Sequence, residues 1–256
     1  MRPDSCHSKK PMSDRQPEVQ ATVSRLFVYP IKSCAGVALD EVVLTEAGLD
    51  LDRAWMVVDV EGEFVSQREL PRMALVQVEL KLHQVVLRAP GMLALHLEID
   101  RVEKPAQVRV WDDVVPAWDM GDVAAQWFSD FLGQKLRLVR FDPDHRRLSS
   151  LKWTGGIEAP NQFSDGFPVL VASTASLDEL NARLQAQGEA AVDMRRFRAN
   201  VVLGHSDVPH ANEVMPHDED RISTLTLHAL ADTPRDTVQL QPVKPCPRCP
   251  IPNIDP

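Results

Sequence analysis

From Thr22 to about Asp119 the chain runs in short, β-branched segments of strand length, broken by turn residues. "TVSRLFV", "VALDEVVLT", "RAWMVVD", "LVQVELKL", "QVVLRAP", "LALHLEI" and "QVRVWDD" carry period-two alternation or brief apolar runs, which predicts a β-rich sheet or barrel. The period changes in "GDVAAQWFSDFLG". There Val123, Trp127 and Phe131 recur on one helical face, Asp122 suits the first turn and Gly133 suits the stop, so the spacing predicts a helix. "KLRLVRF" returns to strand.

The next stretch, "DPDHRRLSSLKWTGGIEAPNQFSDGF", is a long polar loop holding glycine and proline, and loops of that length in compact domains are functional or disordered. "FPVLVAS" reads as a buried strand. It leads into "TASLDELNARLQAQG", a helix with a Leu177, Leu180, Leu184 stripe in which Ser176 and Glu179 have capping-box spacing. "DMRRFRANVVLG" predicts a short helical turn feeding a strand, and "ISTLTLHAL" and "TVQLQPV" are further strands. There is no internal repeat.

The 256 residues allow one large or two small domains, and a single unit with two lobes fits that length. With 44% hydrophobic and 25% charged residues the composition is that of a soluble globular protein, and no run approaches the roughly 18 to 20 apolar residues of a membrane span. Residues 1–20 are polar and proline-bearing, without the apolar segment of a signal peptide, so they read as a disordered leader of a cytoplasmic protein. A net charge of −9 argues against nucleic-acid and anionic-membrane partners, which are bound through an excess of Lys and Arg.

The chemistry concentrates at "KPCPRCPIPNIDP". Cys246 and Cys249 form a Cys-x-x-Cys pair held by prolines 245, 247, 250 and 252. Structural zinc needs four ligands, but Cys6 and Cys34 lie far away and His205, His210, His217 and His228 are scattered. A thioredoxin-type pair would open a helix, which Pro250 and Pro252 oppose. What survives is a rigid extended loop that presents one thiolate, with Arg248 supplying local positive charge.

A thiolate-held cofactor needs other groups to anchor it. Lys32 with Ser33, Arg53, and Arg195, Arg196 and Arg198 are the basic clusters that suit a phosphate-bearing ligand, each weighed against an ordinary solvated surface charge. Asp165 and Asn161 sit in the long loop, where Asp-Gly alone is a simple turn. Trp111, Trp118, Trp127 and Phe131 read as core, and His83 and His96 as strand residues and not ligands.

Taken in order, "VYPIKSCAG", "GLDLDRAWMVVD", "FVSQRELPRMALV", "FSDGFPVLVASTASLDELN", "RRFRANVVL" and "KPCPRCPIPNIDP" resemble the MOSC proteins over about residues 22 to 256. That family takes in an N-terminal β-barrel module, the C-terminal module of molybdenum-cofactor sulfurases and the mitochondrial amidoxime-reducing component. The resemblance implies a mainly β fold with some α: an N-terminal β-barrel-like module over residues 21–119, packed on a MOSC β-barrel with flanking helices over 120–256. Relatives continue past the "DP" at Asp255 and Pro256, so the second module is expected to be truncated at its C-terminus.

The resemblance also implies a molybdenum cofactor, a metal–pterin held by one protein thiolate, for which soft sulfur is a suitable donor. By motif position Cys249 is the metal ligand and a catalytic residue, with Asp165 as the second catalytic residue, relaying a proton or ordering a ligand. Lys32, Ser33, Arg53, Asn161, Arg198, Asn200 and Arg248 are implied as cofactor-binding. The implied activity is reduction of small N-hydroxylated substrates with an electron-donor protein carrying flavin, haem or iron–sulfur. The alternatives are a sulfur-transfer or cofactor-carrier role for Cys249 on a sulfur-bearing substrate, and an inactive truncated member. Pyridoxal phosphate, known from the sulfurases' other domain, is not expected, since nothing marks a Schiff-base lysine beside a phosphate-cradling glycine loop.

Overall fold

A computed structural model of the chain describes residues 19–206, 212–228 and 237–256. Most of the expected leader, with Cys6, and also His210, lie outside the described residues. Strand outweighs helix, 32% against 19%, so the mainly β class with a few helices holds.

Three sheets carry the architecture. In the first, the strand order is Val171–Ser173, Val201–Gly204, Thr22–Val28, Val37–Leu39. The opening strand of the chain is thus sandwiched between its own hairpin partner and a strand from the C-terminal half, with Leu26 opposite Val201 on one side and Leu39 on the other. Val171–Ser173 runs parallel to Val201–Gly204, and the crossover that a parallel pair requires is the helix Thr174–Ala186. The second sheet orders Trp55–Val58, Arg137–Phe141, Asp113–Asp119, Lys104–Val110, all antiparallel. The third is a meander of Gln77–Lys81, Gln84–Arg88 and Leu95–Glu98. The barrels implied by the resemblance take the form of open sheets: among the described residues no ladder closes on itself.

The largest core cluster lies where the helix Asp122–Leu132 meets the meander and the second sheet, and it includes Trp55, Met73, Leu87, Trp127, Phe128, Phe131 and Leu138. Fully burying a side chain such as Phe128 or Phe131 contributes about 2 kcal/mol each. The helix ends as its sequence requires, with Gly133 at φ 78 taking the left-handed C-terminal position and bonding Ser129 O. Its buried face differs from the expected one. Val123 is 73% exposed, and Ala124, Ala125 and Phe128 join Trp127 and Phe131 in the core, because the apolar stripe is centred one residue further along the helix. The strand Asp113–Asp119 is an element the sequence pattern missed, masked by Pro116 within an otherwise alternating run.

The helix Thr174–Ala186 has its N-cap three residues before the expected capping box. Ser173, not Ser176, is the N-cap, and its Oγ accepts from the Ser176 amide at 3.1 Å. Leu177, Leu180 and Leu184 are only half-buried, so this helix has no fully buried side chain and forms a wall of a cleft. Among the described residues no helix is long and apolar enough to cross a membrane.

Candidate cofactor cleft

A cleft of about 1070 Å³ opens between the first sheet with its helix, the turn after the opening strand, the 163–167 loop and the C-terminal tail. Lys32, Ser33, Arg53, Asp165, Arg198, Asn200, Arg248 and Cys249, drawn from five separate stretches of sequence, all line it. Among the described residues six non-glycine residues have positive φ, and five of them line this cleft: Ser33 (69°), Arg53 (51°), Trp111 (56°), Arg198 (57°) and His217 (66°). Left-handed backbone costs a non-glycine residue roughly 1–3 kcal/mol, and such strain concentrates where side chains must be aimed.

The cationic end is built around Tyr29. The guanidinium of Arg53 lies 4.6 Å from the ring centroid and that of Arg198 4.3 Å. Arg53 pairs with the buried Asp52 and donates to Asn200 Oδ1 at 3.0 Å and to Arg198 O at 3.1 Å. Arg198 donates to Cys34 O at 2.7 Å. Burial, and then the charge of Arg53, bring Arg198 down to about 10, so it remains charged at neutral pH. Two guanidinium groups with one carboxylate leave surplus positive charge, a natural seat for an anionic group.

Lys32 extends this field. Its ammonium, almost wholly buried, donates to Phe163 O at 2.9 Å and to Asp165 Oδ1 at 2.5 Å. Burial pushes the amine down to about 8, against the pull of Asp165. Burial acts to raise Asp165, but the Lys32 charge and hydrogen bond outweigh it and hold the carboxyl below the usual carboxylate range.

The two asparagines make their hydrogen bonds to the protein itself, Asn200 on the cleft and Asn161 away from it. Asn200 is 1% exposed; its side chain accepts from Leu170 N and Arg53 and donates to Phe27 O at 3.1 Å, tying three segments together and orienting Arg53. Asn161 does not line the cleft. Its Oδ1 accepts from Arg147 at 2.6 Å and from Ser164 Oγ at 3.0 Å, and its amide donates to Ser149 Oγ. Both spend their polar groups on protein, so they position the site's loops.

Of the described cysteines, Cys34 is buried and its thiol is pushed up to about 12 by desolvation, while Cys246 and Cys249 are exposed on the tail. The arginine-rich turn Met194–Phe197 docks that tail: Arg196 donates to Pro252 O at 3.3 Å and lies 3.0 Å from Asp255, and Arg248 returns a bond to Phe197 O at 3.1 Å. Arg195 pairs with Asp193 outside the cleft.

Three residues escaped the sequence reading. Trp111, expected in the core, is 43% exposed; it sits in the turn between two strands and donates to Asp165 Oδ1 at 3.1 Å. Arg68 stacks 4.8 Å from the Trp111 ring and also lines the cleft. Arg147, buried in the long loop, bonds Asp113, Asn161, Gln162 O and Ser164 O. The left-handed turn at Trp111 has no local sequence signal, and the partners of Arg147 are set by tertiary contacts.

Comparison with known proteins identifies the family. Residues 20–135 match the family described as MOSC N-terminal beta barrel domain, and residues 158–256 the family described as MOSC domain. The chain is 31% identical over 258 residues to mitochondrial amidoxime reducing component 2 of Rattus norvegicus, covering 96% of this chain and 70% of that protein. The chain belongs to the MOSC family. This MOSC protein is also 33% identical to mitochondrial amidoxime-reducing component 1 of Mus musculus, over 96% of this chain and 69% of that one. Against the molybdenum cofactor sulfurase of Homo sapiens it is 28% identical, over 91% of this chain but 26% of that protein.

Proposed function

We propose that this MOSC protein binds a molybdenum cofactor and reduces small N-hydroxylated compounds, working in the cytoplasm with a flavin, haem or iron–sulfur electron donor. The observation that carries this reading is one cleft that joins an exposed tail thiol, Cys249, to a surplus of cations, the buried Lys32 and the half-buried Arg53 and Arg198. That donor set suits a group with a soft metal at one end and a phosphate at the other. The relatives named for amidoxime reduction support the substrate class.

When bound, the molybdenum cofactor would supply the two-electron exchange that lets an N–O bond be cleaved with release of water. The protein's part is positioning and charge. Cys249 offers its thiolate as the metal ligand, while Lys32, Ser33, Arg53 and Arg198 hold the anionic portion, with Arg248 at the mouth. Asp165, held ionised, accepts hydrogen bonds and does not donate a proton at neutral pH. Lys32 carries its charge below about pH 8 and so supplies a cation beside that anionic portion.

The test is expression in a cofactor-competent host of wild type and Cys249→Ser, with assay of molybdenum, pterin and loss of an amidoxime driven by a reduced viologen dye. Near-stoichiometric metal and reductant-dependent turnover, both lost in the variant, support the reading. Metal bound without turnover would favour the cofactor-carrier or sulfur-transfer alternative, which the likeness to the sulfurase over most of this chain also motivates. Wild-type protein without metal would overturn both.

A further inference from the structure

We propose that Trp111 is the positioning residue of the Asp165 and Lys32 pair, its indole N–H fixing the carboxylate oxygen that also receives the ammonium. Trp111 does not serve the core: it is 43% exposed and held at φ 56, a conformation a bulky side chain adopts only under constraint. Its Nε1 donates to Asp165 Oδ1 at 3.1 Å, and Lys32 Nζ reaches the same oxygen at 2.5 Å. Two donors converging on Oδ1 fix the carboxyl plane and leave Oδ2 its capacity to accept from a group in the cleft.

The surroundings hold the indole in that pose. Phe64 meets the Trp111 ring edge-on at 4.9 Å, Lys32 lies 5.3 Å from the Phe64 centroid, and Arg68 covers Trp111 at 4.8 Å. Arg147 joins the two segments from below. It binds Asp113, two residues after Trp111, at 2.7 Å, and the carbonyls of Gln162 and Ser164, just before Asp165, at 2.8 and 2.7 Å. The strained turn and the loop that carries Asp165 are therefore one assembly. The charges facing Asp165 are Lys32 and Arg53; those facing Lys32 are Asp165, Arg53 and Arg147. Trp111 adds the one neutral donor, which favours the ionised carboxylate without adding charge.

The inference rests on the proposed catalytic part of Asp165, but its first test needs no cofactor. The five tryptophans give separate indole N–H resonances in a nitrogen–proton spectrum, and the Trp111 signal is the one missing in Trp111→Phe. That signal is expected to move on acidification as Asp165 protonates and again near pH 8 as Lys32 loses its proton. Asp165→Asn should abolish the acid transition and Lys32→Met the alkaline one. A Trp111 signal indifferent to pH and to Asp165→Asn overturns the proposal. In loaded enzyme, Trp111→Phe should lower kcat by roughly tenfold or more with KM within about twofold, the consequence of losing one hydrogen bond to a charged group. An unchanged kcat also overturns it. Coupled resonances in a protein that consumes no amidoxime would leave the positioning intact and overturn the proposed activity.

Discussion

Lys32 Nζ lies 2.5 Å from Asp165 Oδ1 across 133 positions of chain, and the ammonium is nearly buried while most of the Asp165 side chain faces the cleft. Burial lowers the amine to about 8, so Lys32 carries its charge below that pH and loses it above. An anion arriving beside it raises that value, and binding must take up protons around pH 8. Sulfate, whose charge is constant over this range, should raise Tm less as pH rises from 7 to 9. Lys32→Met should reduce the gain, leaving the share due to Arg53 and Arg198, and remove its pH dependence; a sulfate effect flat in pH would exclude Lys32 from the anion seat.

Asn200→Ala should be costly although it removes little volume. It leaves Leu170 N and Phe27 O in the interior without their side-chain partner and frees Arg53 from one of its anchors. Buried groups left unsatisfied cost about 1–3 kcal/mol each, so a loss of about 3 kcal/mol is expected in urea unfolding. Cofactor retention should fall with it.

Arg147→Lys is conservative in charge and not in geometry. The forked guanidinium, buried in the loop, serves four acceptors, which an ammonium cannot reach from one point. We expect a loss of about 3 kcal/mol and faster proteolysis between residues 142 and 167 than at other sites.

Thiol accessibility separates the cysteines. With Cys6→Ser as background, two thiols should react rapidly with an aromatic disulfide reagent and the third, Cys34, only on unfolding, since it is buried and poorly ionised. Cys249→Ser should remove one fast thiol together with bound metal, whereas Cys246→Ser should remove one fast thiol and keep the metal. Equal loss of metal in both variants would mean that the pair acts as a unit.

Arg196→Ala tests how the tail is held. Its bond to Pro252 O and its pairing with Asp255 would go, and Cys249 should react several-fold faster as the tail loosens. A reaction rate equal to that of wild type would show that Arg248 and the prolines suffice.

What the sequence determined alone is what depends on near neighbours. The helix Asp122–Leu132 follows from its period and from Gly133, most strands from their alternation, and the extended stretch of the tail up to Cys249 from its prolines, all effects within a few residues of chain, whereas the tail closes in a 3-10 turn at Ile251–Asn253 that the sequence pattern does not predict. The motifs also named eight residues that share one cleft. Only the tertiary structure decided which side chains meet. Trp111 finds Asp165 across 54 positions, Arg53 finds Asn200 across 147, and Asn161 turns away from the cleft to serve Arg147. A tryptophan in a strand-rich segment has the composition of a core residue whether its indole faces the core or a carboxylate. The difference lies in a left-handed turn and a distant hydrogen-bond partner, neither of which local periodicity encodes.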